Sequence, residues 1–223
     1  MELITDISKH SYFFAVPCYD GKLTVECAAS LIDTMGRLSA MQITNVGGLV
    51  KGGALIDQVR NELTKNFLDS GCDTMICIDS DIQFNWEAFQ RLIVLSDHYP
   101  VVCGSYTTKS DKPEFLIDVA EPILNEHGLL PINGIGMGFV AIHRDVFSKL
   151  NVPTYWNKRL GDVKAFFQTG LQKEGYVGED IFFFKRCVEA GIQPMLDPQI
   201  ALKHVGTKVY DTPFSSVLNQ IIL

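Results

Sequence analysis

The sequence predicts an α/β fold: a mainly parallel central sheet flanked by helices, in a single domain spanning residues 1–223. Three observations predict it. Short apolar runs alternate with stretches of helical periodicity through the first half of the chain. With 223 residues, 47% hydrophobic and 20% charged, the chain can bury one sizeable core and has no disordered composition. No internal repeat or linker-like stretch divides it.

The elements follow in order. Tyr12–Val16 (YFFAV) is a short apolar run closed by Pro17, which reads as a buried strand and a loop. A helix is expected over Leu23–Met35, where Val25, Ala28, Ala29 and Ile32 approach helical spacing, and a strand over Met41–Val46. Gly47, Gly48, Gly52 and Gly53 read as a flexible connection. Ala54–Leu68 is a helix with Leu55, Val59, Leu63 and Phe67 on one face, stopped by Gly71. Thr74–Ile78 is a third buried strand, Trp86–Leu95 a helix and Val101–Tyr106 a fourth strand. The second half is less regular. Phe115–Val119, Gly138–His143, Gln193–Leu196 and Ala201–His204 look like strands, Asn133–Gly138 like a glycine-rich bend, and Asn151–Tyr176 like a loop region. Asp180–Ala190 reads as a helix ending at Gly191.

Composition narrows the function classes. A net charge of −7 argues against a general nucleic-acid binder, which needs clustered Lys and Arg. It suits a metal site built from carboxylates. No apolar run approaches the ~20 residues of a membrane span, and Met1–His10 is too polar for a signal peptide. A soluble, cytoplasmic protein is expected. The six cysteines form no CxxC pair and mostly sit in apolar stretches, as reduced buried thiols do. In a parallel sheet, ligands lie beyond the carboxyl ends of the strands. Polar clusters fall at three such ends: Tyr19–Asp20, Asp79–Ser80–Asp81 and Thr107–Lys109.

Asp79 and Asp81 stand two positions apart at the end of an apolar strand. An apolar strand cannot bury them unpaired. One reading is a divalent-cation site, whose ion bridges to phosphate oxygens. The other is a turn cap at Asp79 with a solvated Asp81.

The wider pattern resembles the GT-A glycosyltransferases, particularly compact bacterial and viral ones. The resemblance rests on Val16–Asp20, Arg60–Asn61, Phe67–Leu68, Ile76–Asp81 with its D-x-D motif, Asn133–Arg144 (NGIGMGFVAIHR), Gly178–Asp180 and Lys203–Gly206, in this order along most of the chain. It implies a Rossmann-like GT-A sheet, with a nucleotide-sugar-binding half over 1–110 and an acceptor-binding, catalytic half over 111–223. It implies a metal-dependent transfer of a sugar from a nucleotide-diphosphate sugar, a UDP-sugar foremost, to a glycan or other hydroxyl acceptor, with inversion favoured. Pro17, Tyr19 and Asp20 would meet the base and ribose. Asp79 would touch the ribose or the metal. Asp81 and His204 would coordinate manganese, or magnesium, and Ser80 lies between the two acids. A viral member would work in the host cytoplasm.

The remaining candidates carry two readings each. Glu179–Asp180 opens a helix, where acids are good N-terminal residues; the resemblance makes Asp180 the general base. His204 is a metal ligand or a hydrogen-bonded structural histidine; His10, His98, His127 and His143 read as structural. Arg60 pairs with Asp57, Asp81 or the ligand. Lys109 meets a phosphate or only water. Gly134, Gly136 and Gly138 lack the spacing of a nucleotide loop and suit a close backbone approach. Tyr155 and Trp156 stack on a sugar face or pack ordinarily. Two rival functions stand. One is a phosphatase of the haloacid dehalogenase type with Asp79 as nucleophile, although Gln83 stands where that motif has Thr or Val. The other is a non-catalytic module that binds sugar nucleotides.

Overall fold

A computed structural model describes residues 6–44, 46–173 and 175–222. Part of the signal-peptide reading, at Met1–Thr5, and Asn45 of the expected strand Met41–Val46 lie outside them. The chain runs β1 (Tyr12–Cys18), α1 (Val25–Ala40), β2 (Val46–Gly52), α2 (Ile56–Ser70), β3 (Thr74–Ile78), β4 (Ile82–Gln83), α3 (Trp86–Ser96) and β5 (Val101–Ser105). It continues with β6 (Ile117–Val119), β7 (Leu130–Ile135), β8 (Phe139–His143), α4 (Arg144–Lys149), β9 (Thr154–Asn157), β10 (Gly161–Lys164), β11 (Gly170–Gln172) and β12 (Gly175–Val177). It closes with α5 (Glu179–Glu189), β13 (Met195–Ala201), β14 (Lys203–Val205) and β15 (Val209–Tyr210).

Among the described residues the central sheet has eight strands, ordered β2-β1-β3-β8-β5-β13-β7-β6. The pairings β1–β2, β1–β3 and β5–β13 are parallel; β8 and β7 run against their neighbours. Strands β2, β1, β3, β5, β13 and β6 therefore point one way, so the sheet is mixed around a mainly parallel set. Crossovers through α1, α2 and α3 connect strands of that set, as the alternating pattern requires.

Side-chain alternation builds a core on each face. In β1, Phe13 and Ala15 join Phe67, Phe147, Phe167 and Phe183 on one side. Tyr12, Phe14 and Val16 join Leu38, Phe89 and Leu92 on the other. Arg144 locks one corner. Its guanidinium donates to the carbonyls of Cys72, Leu68 and Phe67 at 2.6, 3.0 and 2.9 Å, satisfying acceptors at the C-terminus of α2. Gly71 adopts φ 79 there, as an αL C-cap does. Arg144→Ala should lower stability by about 2–3 kcal/mol, since buried acceptors lose a charged donor. A urea midpoint displaced at unchanged slope is the check.

Four expectations are corrected. The second strand is not Met41–Val46 but Val46–Gly52, in the glycine-rich stretch. Parallel pairing with β1 overrides composition there, and Gly48 permits the approach: a Cβ on it would stand 3.1 Å from Phe14. Asn133–Ile135 belongs to β7 rather than to a bend. The stretch Asn151–Tyr176 carries the hairpins β9–β10 and β11–β12. One strand, β13, runs from the end of the first expected strand, Gln193–Leu196, to the start of the second, Ala201–His204, with β14 following. All six cysteines are free and buried. No helix among the described residues is long and apolar enough to cross a membrane.

Candidate active site

The parallel strands deliver their following residues to one edge. A cleft of about 290 Å³ opens there, and its lining includes Pro17, Tyr19, Arg60, Asp79, Ser80, Asp81, Glu179, Asp180 and His204. Pro17 and Tyr19 come from the end of β1, and Asp79–Asp81 follow β3. His204 stands just beyond β13. Arg60 and the acidic pair are contributed by α2 and the first turn of α5.

The D-x-D turn is fixed by its backbone. Asp79 N–H donates to Gly138 O at 3.0 Å, and Thr24 N–H donates to Ser80 O at 2.9 Å. Thr24 is also the N-cap of α1, accepting from Cys27 N–H at 3.2 Å. The Asp79 carboxylate is held by Arg60, whose Nη2 donates to Oδ1 at 2.8 Å while its Nε donates to Glu179 Oε1 at 3.1 Å. Arg60 is 6% exposed, so one buried guanidinium ties α2, β3 and α5 together. Burial alone would lower its pKa, but Asp79 and Glu179 outweigh it and keep the group charged.

Asp81 and His204 meet because β14 pairs with β4, His204 opposite Ile82, and because Val205 N–H donates to Asp81 O at 2.8 Å. His204 Nδ1 lies 2.8 Å from Thr107 O. A carbonyl only accepts, so Nδ1 carries a proton and donates. Nε2 then faces Asp81 Oδ1 at 3.5 Å. Unless Nε2 is also protonated, two acceptors confront each other, and a cation between them resolves the conflict. A histidine whose other ring nitrogen donates to a backbone carbonyl is the usual arrangement of a metal ligand. Lys109 Nζ donates to the second oxygen, Oδ2. Burial pushes the Asp81 pKa up, but the neighbouring His204 and Lys109 prevail and hold it below its ordinary value. Asp81 and His204 therefore fit manganese or magnesium as two protein ligands. Among the described residues no third His, Cys, Asp or Glu completes a protein-only cage. Asp79, engaged by Arg60, fits the ion less directly.

The acidic pair divides its work. Glu179 pairs with Arg60. Asp180 makes no ion pair among the described residues; its Oδ1 accepts from Ile181 N–H at 2.7 Å. Gly178, the N-cap, leaves room beside it, since a Cβ there would lie 2.9 Å from that oxygen. Burial first, and the neighbouring Glu179 charge second, raise the Asp180 pKa above the ordinary carboxylate value. A carboxyl raised in the folded state is neutral in both states at low pH, and its folded-state penalty develops as pH rises from the ordinary carboxylate value to the raised one, above which it is complete. Asp180→Asn should therefore stabilise the fold at neutral pH, with the gain vanishing below about pH 4. Urea midpoints at the two pH values measure it.

Two candidates stand apart from the lining. Asp20 is exposed and pairs with Lys22 Nζ at 2.9 Å. Lys109 reaches the cleft through its bond to Asp81. Sequence reasoning missed Tyr106, just beyond β5, as a lining residue. Its hydroxyl accepts from Gly138 N–H at 3.0 Å, and its ring meets His204 edge-on at 4.9 Å between centroids. It also accounts for two glycines: a Cβ on Gly136 or Gly138 would stand 2.5 Å from that hydroxyl. Its place at a strand's carboxyl end was the available signal.

The comparisons bear on the fold. The chain shares its fold with A197 from STIV. The two are 17% identical over 91% of this chain and 94% of that one, with a TM-score of 0.59. A 4-diphosphocytidyl-2C-methyl-D-erythritol synthase from Anaerococcus prevotii aligns over 64% of this chain and 74% of its own, at 11% identity and TM-score 0.39. A glycosyltransferase involved in the glycosylation of the major capsid of PBCV-1 aligns over 62% of each chain, at 8% identity and TM-score 0.36. No protein-family model and no curated protein matches the sequence.

Proposed function

We propose that the chain is a glycosyltransferase that moves a sugar from a nucleotide-diphosphate sugar, a UDP-sugar foremost, to an acceptor hydroxyl. One observation carries this reading: a carboxylate–imidazole pair suited to a divalent ion and a carboxyl with a raised pKa, Asp180, line the same cleft. Asp81 and His204 would hold manganese or magnesium, which supplies Lewis-acid neutralisation of a departing diphosphate. Arg60 keeps Asp79 in place at the cleft wall, and Pro17 and Tyr19 border the space for a nucleoside. Asp180 accepts the proton that the acceptor hydroxyl must lose on attacking the anomeric carbon, and its raised pKa suits that role at neutral pH. A base positioned for the acceptor, rather than a second nucleophile, favours inversion. The Arg60 pairing of Asp79 weighs against the aspartyl-phosphate rival, which needs that carboxylate as a nucleophile.

The test is a melting-temperature screen of sugar nucleotides with manganese, followed by nucleoside diphosphate release with and without chelator. A native-state ligand at ~100 times its Kd adds roughly 2.7 kcal/mol of stability. A metal-dependent shift together with release supports transfer chemistry. A shift without release leaves a binding module, and no shift with any sugar nucleotide sinks the proposal.

A further inference from the structure

The two oxygens of Asp81 are not equivalent. Oδ1 faces His204 Nε2 at 3.5 Å, whereas Oδ2 accepts from Lys109 Nζ. The loop that carries Lys109 holds both groups. Thr107 O, at the root of the loop, lies 2.8 Å from His204 Nδ1, and Lys109, two residues on, takes Oδ2. The loop's backbone aims the imidazole and its side chain aims the carboxylate.

That loop is an internally bonded turn. Thr107 forms an antiparallel bridge with Phe115. Thr108 N–H donates to Glu114 O at 2.9 Å, and Glu114 N–H donates back to Thr108 Oγ1 at 3.1 Å. Ser110 Oγ donates to Lys112 O at 2.5 Å and lies 3.2 Å from Thr108 Oγ1. The lysine stem runs against Gly206, where a Cβ would stand 3.0 Å from Lys109 Cδ. The acceptor is held as well, because Asp81 O accepts from Val205 N–H at 2.8 Å. Both ends of the Lys109–Asp81 pair therefore start from a fixed backbone.

This arrangement bears on which ion fits. An oxygen engaged by an ammonium has less electron density to share, so an ion entering beside His204 is left with Oδ1. Calcium is large, collects many oxygens and readily takes both oxygens of one carboxylate. Magnesium and manganese are smaller, prefer octahedral surroundings and are served by one oxygen. We propose that Lys109 sets the ion specificity of the cleft: by engaging Oδ2 it confines Asp81 to one-oxygen ligation and selects manganese or magnesium against calcium. The inference rests on the reading that Asp81 and His204 hold a divalent ion. Lys109 is a positioning residue, acting through Asp81. Its charge also repels the ion, but that cost falls on all divalent ions nearly alike and cancels in their ratio.

The test follows manganese binding to the full chain by water-proton relaxation, with calcium and magnesium as competitors. Wild type should bind manganese about tenfold or more tightly than calcium. Lys109→Met should tighten calcium about fivefold more than manganese, drawing the two together. Lys109→Arg keeps a charged donor for Oδ2 and should hold the wild-type ratio. Melting curves of both variants should match wild type, since Lys109 lies at the surface. If Lys109→Met shifts both ions by the same factor, the lysine acts through charge alone and the inference is overturned. Equal binding of calcium and manganese by wild type overturns it too. If no ion binds wild type, or if Asp81→Ala binds manganese unchanged, the metal-site reading itself falls and takes the inference with it.

Discussion

Arg60→Met is expected to destabilise the protein by about 3–5 kcal/mol, because it strips the cation from a buried ion cluster and leaves carboxylates uncompensated. Asp79 and Glu179 both bond to this one guanidinium, at 2.8 and 3.1 Å. Methionine fills similar space, so the loss reports charge and hydrogen bonding more than a cavity. Arg60→Lys should recover only part of it, since a point charge cannot bridge both carboxylates in fork geometry. Glu179→Gln should cost less than Arg60→Met, because Arg60 keeps Asp79. Urea unfolding measures all three. A loss below about 1 kcal/mol for Arg60→Met would place the cluster among screened surface pairs.

Asp81→Ala should reduce metal-dependent sugar transfer by roughly 10³-fold or more. That corresponds to losing about 4 kcal/mol of transition-state charge stabilisation. The fold should survive, because Asp81 is partly exposed and its backbone oxygen still accepts from Val205 N–H. His204→Ala should act in the same direction, and the double variant should lose little more than either alone, as residues holding one ion do. The measurement is initial rate with saturating manganese, alongside a melting curve. A variant that transfers at the wild-type rate would remove Asp81 from the chemistry.

Most of the site was legible from local signals. Asp79–Ser80–Asp81 stood out because two acids ending an apolar strand have no place in its core. Glu179–Asp180 stood out at a helix start, and structure adds that Gly178, with no side-chain bond, is the cap. The helices were legible where apolar spacing was strong, as in α2 and α3. β2 was not, because its glycines carry no pattern and its strand character comes from pairing with β1. The hairpins between residues 154 and 177 were missed because their strands are three or four residues long and mostly exposed.

The sequence by itself determined the alternation that makes a mainly parallel sheet, and with it the edge where polar residues must gather. The physical reason is local: periodicity and turn chemistry need only neighbours along the chain. Tertiary structure alone decided which distant groups share that edge. Pairing of β14 with β4 set His204 against Asp81, and burial of Arg60 divided Glu179 from Asp180, giving one acid a cation and the other a raised pKa. Those contacts join residues far apart in the chain, so no local rule encodes them.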